Sequence, residues 1–160
     1  MPLIILALLL LLLYEGNAMK TSAATIASVK KTYSSLAAVN GLRFGVDSLL
    51  ILAVITVESG GNPDSTGTSG ERGLMQVMQA TFSGVNAAYR LGLSWDAMYS
   101  PQVNVQAGSA YLAQCLAAFP GDTRKALQAY NGGVTGVKKN PLLSTGYADK
   151  VLAVYNSLQS

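Results

Sequence analysis

The sequence predicts a mainly α-helical domain of about six to seven helices, organised around one central buried helix. Apolar residues recur at helical spacing along most of the chain. The stretch from Val46 to Val57 is apolar on one helical face at positions 46, 49, 50, 53, 54 and 57, and Ile51, Leu52 and Ile55 make its other side apolar too. A helix that is hydrophobic all round belongs inside a domain. The length of 160 residues fits one such domain with enough chain to bury a core.

Taken in order, the chain begins with an uninterrupted apolar run over residues 2 to 14, ended by Glu15. This is shorter than the roughly 20 residues that span a bilayer as a helix and closer to the apolar part of an export signal. No Lys or Arg precedes Lys20, and Gly16-Asn17-Ala18 offers a weak cleavage site. Residues 1–18 therefore read as a hydrophobic leader: an export signal, a retained membrane anchor contacting lipid through residues 2–14, or an oligomer contact. Residues 19–41 form a first helix, capped by Ser22 or Thr21, with Ile26, Val29, Tyr33, Leu36 and Ala37 on its apolar face and a stop at Asn40-Gly41. The main domain is expected over residues 42–160.

The central helix is entered at Asp47 as N-cap and stopped by Gly60-Gly61, so Glu58 falls in its last turn. Desolvation disfavours the anion there, and so does the negative end of the helix dipole. A carboxylic acid still protonated near neutral pH is what protonation of a leaving sugar oxygen requires. The plainer alternative is a Glu that caps the helix or pairs with Arg72.

From Gly60 to Ser69 the residues are turn formers, followed by Gly70-Glu71-Arg72-Gly73-Leu74-Met75-Gln76, a segment expected to line a cleft beside the acid. Thr81 is expected to cap a helix carrying Phe82, Val85 and Tyr89, closed by Gly92; Trp95 follows in a loop, as a sugar-stacking, core or lid residue. Pro101 opens a longer helix with Val103, Ala107, Ala110, Tyr111, Leu116 and Phe119 at helical spacing, stopped by Pro120-Gly121. Asp122 caps a helix from Thr123 to Tyr130 that breaks at Asn131-Gly132-Gly133. Val134 to Thr145 is expected as a loop forming a cleft wall or lid, and Tyr147, Val151, Tyr155 and Leu158 mark a final amphipathic helix.

Composition narrows the function classes. Net charge is +3 without a dense basic run, which argues against nucleic acid as partner. The absence of histidine excludes a Ser-His-Asp hydrolase and a His-ligated zinc site, and no metal or cofactor is expected. Cys115 is alone, in an apolar helix pattern, and reads as core.

Four blocks in order carry a resemblance: Glu58-Ser59 with Asn62-Pro63; Gly73-Leu74-Met75-Gln76; Ala129-Tyr130-Asn131-Gly132-Gly133; and Tyr147 within Gly146-Tyr147-Ala148-Asp149-Lys150-Val151. Over roughly residues 42 to 158, continuing through Asn104, Gly108 and Tyr111-Leu112, the chain resembles the lytic transglycosylases of the soluble type, relatives of goose-type lysozyme. The resemblance implies a lysozyme-like α+β domain with minimal sheet that cleaves the β-1,4 bond between N-acetylmuramic acid and N-acetylglucosamine in peptidoglycan glycan strands and forms a 1,6-anhydro end; the alternatives are a hydrolytic muramidase on the same fold and a non-catalytic peptidoglycan-binding assembly component. It also implies Glu58 as catalytic acid/base steadied by Tyr147, with Ser59, Gln76, Tyr130 and Asn131, and further Met75 and Ser69, as substrate-binding residues. Its expected place is the periplasm or cell envelope, free or membrane-anchored, or a virion if the chain comes from a phage.

Two departures bear on mechanism. Family members often carry Ser-Pro where this chain has Gly67-Thr68, with Ser69 next, and Glu71 stands where a small residue is usual. Ordinary glycosidases need two carboxylates. Of the eight acidic residues, Glu15 belongs to the leader, Asp47 and Asp122 read as caps, and Asp96 and Asp149 have no motif support, which leaves Asp64 and Glu71 near Glu58, and the family pattern requires neither. A single-carboxylate mechanism is therefore expected, with Glu71 either a loop charge, paired with Arg72 or a lysine, or the second carboxylate of a hydrolase.

Overall fold

A computed structural model describes residues 21–160. The leader assigned to residues 1–18 and its possible membrane contact lie outside the described residues. Among the described residues no helix is long and apolar enough to cross a membrane.

Seven α-helices make up the described chain: α1 (Ala23–Phe44), α2 (Ser48–Ser59), α3 (Gln79–Ala88), α4 (Pro101–Ala118), α5 (Thr123–Gly132), α6 (Val134–Lys139) and α7 (Thr145–Gln159), with a 3-10 turn at Trp95–Ala97. In place of a sheet there are two isolated antiparallel bridges, Thr66 with Arg72 and Arg72 with Val77.

The apolar face of α1 covers α2. Ser22 caps α1, its Oγ accepting the Thr25 N–H. The expected stop at Asn40-Gly41 does not occur: the buried Asn40 side chain donates back to the Leu36 carbonyl, and the left-handed residue that ends the helix is Gly45. The boundary expected after residue 41 thus falls inside one continuous helix.

In α2 every residue from Leu50 to Thr56 is buried. Asp47 Oδ1 accepts the Leu49 N–H at its start, and Oδ2 of the same carboxylate accepts the Tyr155 hydroxyl of α7 at 2.6 Å. The helix packs between α1 and α7, while α4 reaches α1, α3 and α5, and α5 reaches α6 and α7. Ile51, Leu52, Ile55, Leu74, Met75, Met98, Leu112 and Leu127 are the largest fully buried apolar side chains of the resulting core. Burial of each contributes roughly 1.5–3 kcal/mol relative to exposure.

The irregular segment between α2 and α3 is held by one buried side chain of α4. Asn104 Nδ2 donates to the carbonyls of Arg72 (2.7 Å) and Met98 (2.9 Å), and its Oδ1 accepts the Met75 N–H at 2.8 Å. An amide can satisfy strand-like backbone that has no strand neighbour, which keeps this loop's polar groups paired inside the fold. Gly73 lies against that amide with φ 75°, and a Cβ there would stand 2.3 Å from Asn104 Nδ2. Both the positive φ and the close approach call for glycine.

Three further elements differ from expectation. Thr81 does not cap α3; the cap position is Met78, without a side-chain bond, and Thr81 sits in the first turn. Trp95 packs on Phe82 at 5.5 Å between ring centroids and carries the Arg72 guanidinium 4.5 Å over its ring, which makes it a structural residue. The expected loop after Gly133 contains α6, because Gly133 (φ 77°) ends α5 and at once serves as the cap position of another helix.

Candidate active site

Glu58 lies in the last turn of α2, just before the left-handed Gly60. The helix, apolar on every side from Leu49 to Ile55, carries its carboxyl to the edge of the core, where it is largely removed from water. Tyr147, on α7, donates its hydroxyl to Glu58 Oε1 at 2.6 Å. The Glu58 carboxyl is raised from its ordinary 4.5 to about 7, first by burial; the Tyr147 hydrogen bond acts in the opposite direction, and the negative charge of Glu71 adds to the rise. Glu58 at neutral pH is therefore poised between acid and base.

Three tyrosines back this carboxyl. The rings of Tyr147 and Tyr130 are nearly parallel at 6.5 Å, and Tyr130 meets Tyr111 at 5.1 Å. Tyr130 donates its hydroxyl to the Met75 carbonyl at 2.9 Å, tying α5 to the Gly73–Gln76 turn. Burial pushes the hydroxyls of Tyr130 and Tyr147 well above 10, with the Glu58 charge adding to both.

Glu58 opens onto a cleft of about 470 Å³. Of the residues expected at the site, Glu58, Gln76, Tyr130 and Asn131 line it. Tyr147 stands behind Glu58. Asn131 is held by Ser144, whose Oγ donates to its Oδ1. Gln76 has φ 46°, and its Nε2 donates to the carbonyls of Ser65 and Gly73, so its amide nitrogen is spent on the loop.

Three expected sugar contacts are not at the cleft surface. Met75 is fully buried, its sulfur against the backbone of Gly108, and is a core residue. Ser59 donates its hydroxyl to the Leu74 carbonyl at 2.8 Å and accepts the Gly61 N–H, clamping the end of α2 to the following loop. Ser69 is exposed outside the cleft, and its N–H donates to Glu71 Oε2. The wall in that region is Gly67, Thr68 and Glu71.

Neither Glu58 nor Glu71 pairs with Arg72, whose guanidinium lies over Trp95 and Tyr99 and donates to the Trp95 carbonyl. Ion pairs among the described residues are Arg124 with Asp149 and Lys125 with Asp122. Among the described residues the cleft therefore presents two carboxylates and no cationic side chain. Sequence reasoning missed Thr81 and Tyr111 as cleft residues. Spacing alone reads Thr81 as a cap and Tyr111 as a core position; the signal in each is a polar group on an otherwise apolar helical face, and the Tyr111 hydroxyl donates to the Ala129 carbonyl.

Residues 35–152 match the family model described as Transglycosylase SLT domain. An inactive mutant of the lytic transglycosylase Slt from Pseudomonas aeruginosa is similar at 26% identity and a TM-score of 0.70, over 78% of this chain and 23% of that one. The 70-kDa soluble lytic transglycosylase from Escherichia coli matches in fold at 22% identity and a TM-score of 0.71, over 80% of this chain and 24% of its own. A 70-kDa soluble lytic transglycosylase in complex with bulgecin A matches in fold at 21% identity and a TM-score of 0.74, over 82% and 24%. The chain thus spans about a quarter of the length of these proteins. Its helices form the lysozyme-like, almost strand-free fold they share, and the family match covers most of its length: the chain belongs to the SLT transglycosylase-domain family.

Proposed function

We propose that this protein is a peptidoglycan lytic transglycosylase that cleaves the β-1,4 bond between N-acetylmuramic acid and N-acetylglucosamine and leaves a 1,6-anhydro-muramic end. The observation that carries the reading is Glu58: a carboxyl raised to about 7, bonded by the Tyr147 hydroxyl and exposed on one side to a cleft. In the first step Glu58 gives its proton to the glycosidic oxygen as the bond from that oxygen to C1 of the muramic sugar breaks. The N-acetyl carbonyl of the substrate stabilises the positive charge left on C1. Glu58, now a carboxylate, takes the proton of the muramic 6-hydroxyl while its oxygen bonds to C1. The acid is regenerated and no water is consumed. A hydroxyl already tethered to the reacting sugar has a high effective molarity, which removes the need for a second carboxylate to activate water.

Tyr147 steadies the carboxylate between the two steps, and Gln76, Tyr130 and Asn131 shape the sugar site. The product and the cell-envelope setting, whether wall remodelling, a secretion apparatus or phage passage, belong to this reading. A second reading, hydrolytic muramidase action, is favoured by the presence of Glu71 in the same cleft. Mass spectrometry of digested sacculi separates the two. The expected fragments are lighter by one water than hydrolysis products and lack a reducing end, and Glu58→Gln releases none. Reducing ends from the wild type would make the protein a hydrolase, and undiminished release by Glu58→Gln would remove Glu58 from the chemistry.

A further inference from the structure

The cleft holds a charged group that the single-carboxylate mechanism leaves without a task. Glu71 faces the same space as Glu58. Its carboxylate is fixed, because Oε2 accepts the Ser69 N–H at 2.9 Å. It also fills a place that no side chain at position 67 leaves open: a Cβ on Gly67 would stand 2.2 Å from Glu71 Oε2. Gly67 and Glu71 are thus matched, the missing side chain of one housing the carboxylate of the other.

Among the described residues no cation pairs with this charge. The guanidinium of the neighbouring Arg72 is taken up by the rings of Trp95 and Tyr99 and the Trp95 carbonyl. The other groups that face Glu58 are Tyr147 from α7, Tyr130 from α5 and, along the cleft, Tyr111 from α4. All three hydroxyls are raised above their ordinary range by burial and remain neutral where Glu58 titrates. From α1, Tyr33 is turned to the Gly61 carbonyl. A like charge across a cleft disfavours ionisation of its neighbour, and exclusion of water by substrate strengthens that effect.

We propose that Glu71 is a positioning residue of this cleft: its carboxylate, seated in the space left by Gly67 and paired with no cation among the described residues, adds to burial in keeping the proton on Glu58. The proposal rests on the reading of Glu58 as the proton donor, and it assigns to Glu71 no bond-making step.

The chain contains three glutamates, Glu15, Glu58 and Glu71. Carbon-13 labelling of glutamate carboxyls in the full chain therefore gives a titration with three signals, which Glu58→Gln and Glu71→Gln assign. The expected result is that the Glu58 midpoint falls in Glu71→Gln and stays near the wild-type value in Glu71→Asp, which keeps the charge. The alkaline limb of sacculus clearing should move to lower pH in Glu71→Gln by the same interval, and added salt should narrow the gap. An unmoved Glu58 midpoint in Glu71→Gln overturns the proposal, and loss of clearing with that midpoint unmoved would make Glu71 a group acting on substrate. Because the titration needs no substrate, its outcome is independent of the product analysis. Reducing-end products would overturn the lyase reading while leaving a shifted midpoint in force.

Discussion

A buried acid poised near neutrality costs the fold stability whenever it is ionised, and the substitution Glu58→Gln should expose that cost. In the unfolded chain the carboxyl titrates near its ordinary 4.5, whereas in the native state it is raised to about 7. Between these values the native protein retains a proton that the unfolded chain has released. Stability therefore falls as pH rises through this window, is unaffected by Glu58 below it and levels off above it. At about 1.36 kcal/mol per tenfold change in proton affinity, the full cost above pH 7 is about 3 kcal/mol. Glutamine keeps an oxygen to accept the Tyr147 hydroxyl and carries no charge. The variant should thus match the wild type near pH 4.5 and exceed it by about 3 kcal/mol at pH 8, a rise in Tm of roughly 6–12 °C for a domain of this size. Urea unfolding of both proteins at half-unit steps from pH 4.5 to 8.5 measures the difference directly. A gap that is constant with pH, or one that opens toward acid, would refute the reasoning, because it would show that Glu58 has no raised proton affinity in the native state.

Tyr147→Phe removes a hydrogen bond that favours the ionised form of Glu58, so the alkaline limb of activity should move to higher pH while turnover at its optimum falls by roughly tenfold to a hundredfold, the worth of a hydrogen bond to a charged group. A pH–rate profile on sacculi checks both, and a limb that moves down or stays in place would contradict the role given to the hydroxyl. Asn104→Ala breaks three buried bonds to the loop that carries Leu74, Met75 and Gln76, and should cost about 3 kcal/mol or more together with most of the clearing activity, although Asn104 is not a cleft residue. Denaturant unfolding paired with the activity assay tests this, and a variant of near wild-type stability would show that the loop holds itself.

Local patterns determined much of the architecture without reference to contacts. The two-sided apolar run before Glu58 has no stable place except inside a helical core, and the caps at Ser22, Asp47 and Asp122 follow from backbone donors that short polar side chains satisfy nearby. What went astray locally did so because neighbours from elsewhere intervened. Asn40-Gly41 carries the letters of a helix stop, yet Asn40 spends its amide on its own helix and the chain turns only at Gly45. Thr81 has the chemistry of a cap, but the helix begins earlier and brings it to the cleft.

The functional surface is another matter, because whether a polar side chain meets solvent or backbone depends on partners far away in the chain. Ser59, Gln76 and Ser69 lie in the segment that borders Glu58, but their donors serve carbonyls of Leu74, Ser65 and Gly73 and the carboxylate of Glu71. The sequence by itself determined that an acid would end a buried helix beside a glycine-rich loop. The resemblance had already joined Tyr147 to that acid across 89 residues, and the fold brings the two together; only the tertiary structure decided that Arg72 would turn to Trp95 and leave Glu71 without it. Helical periodicity and capping are set over a few residues, whereas the protonation of a buried group is set by every dipole and charge that the packing of α2, α5 and α7 brings within reach.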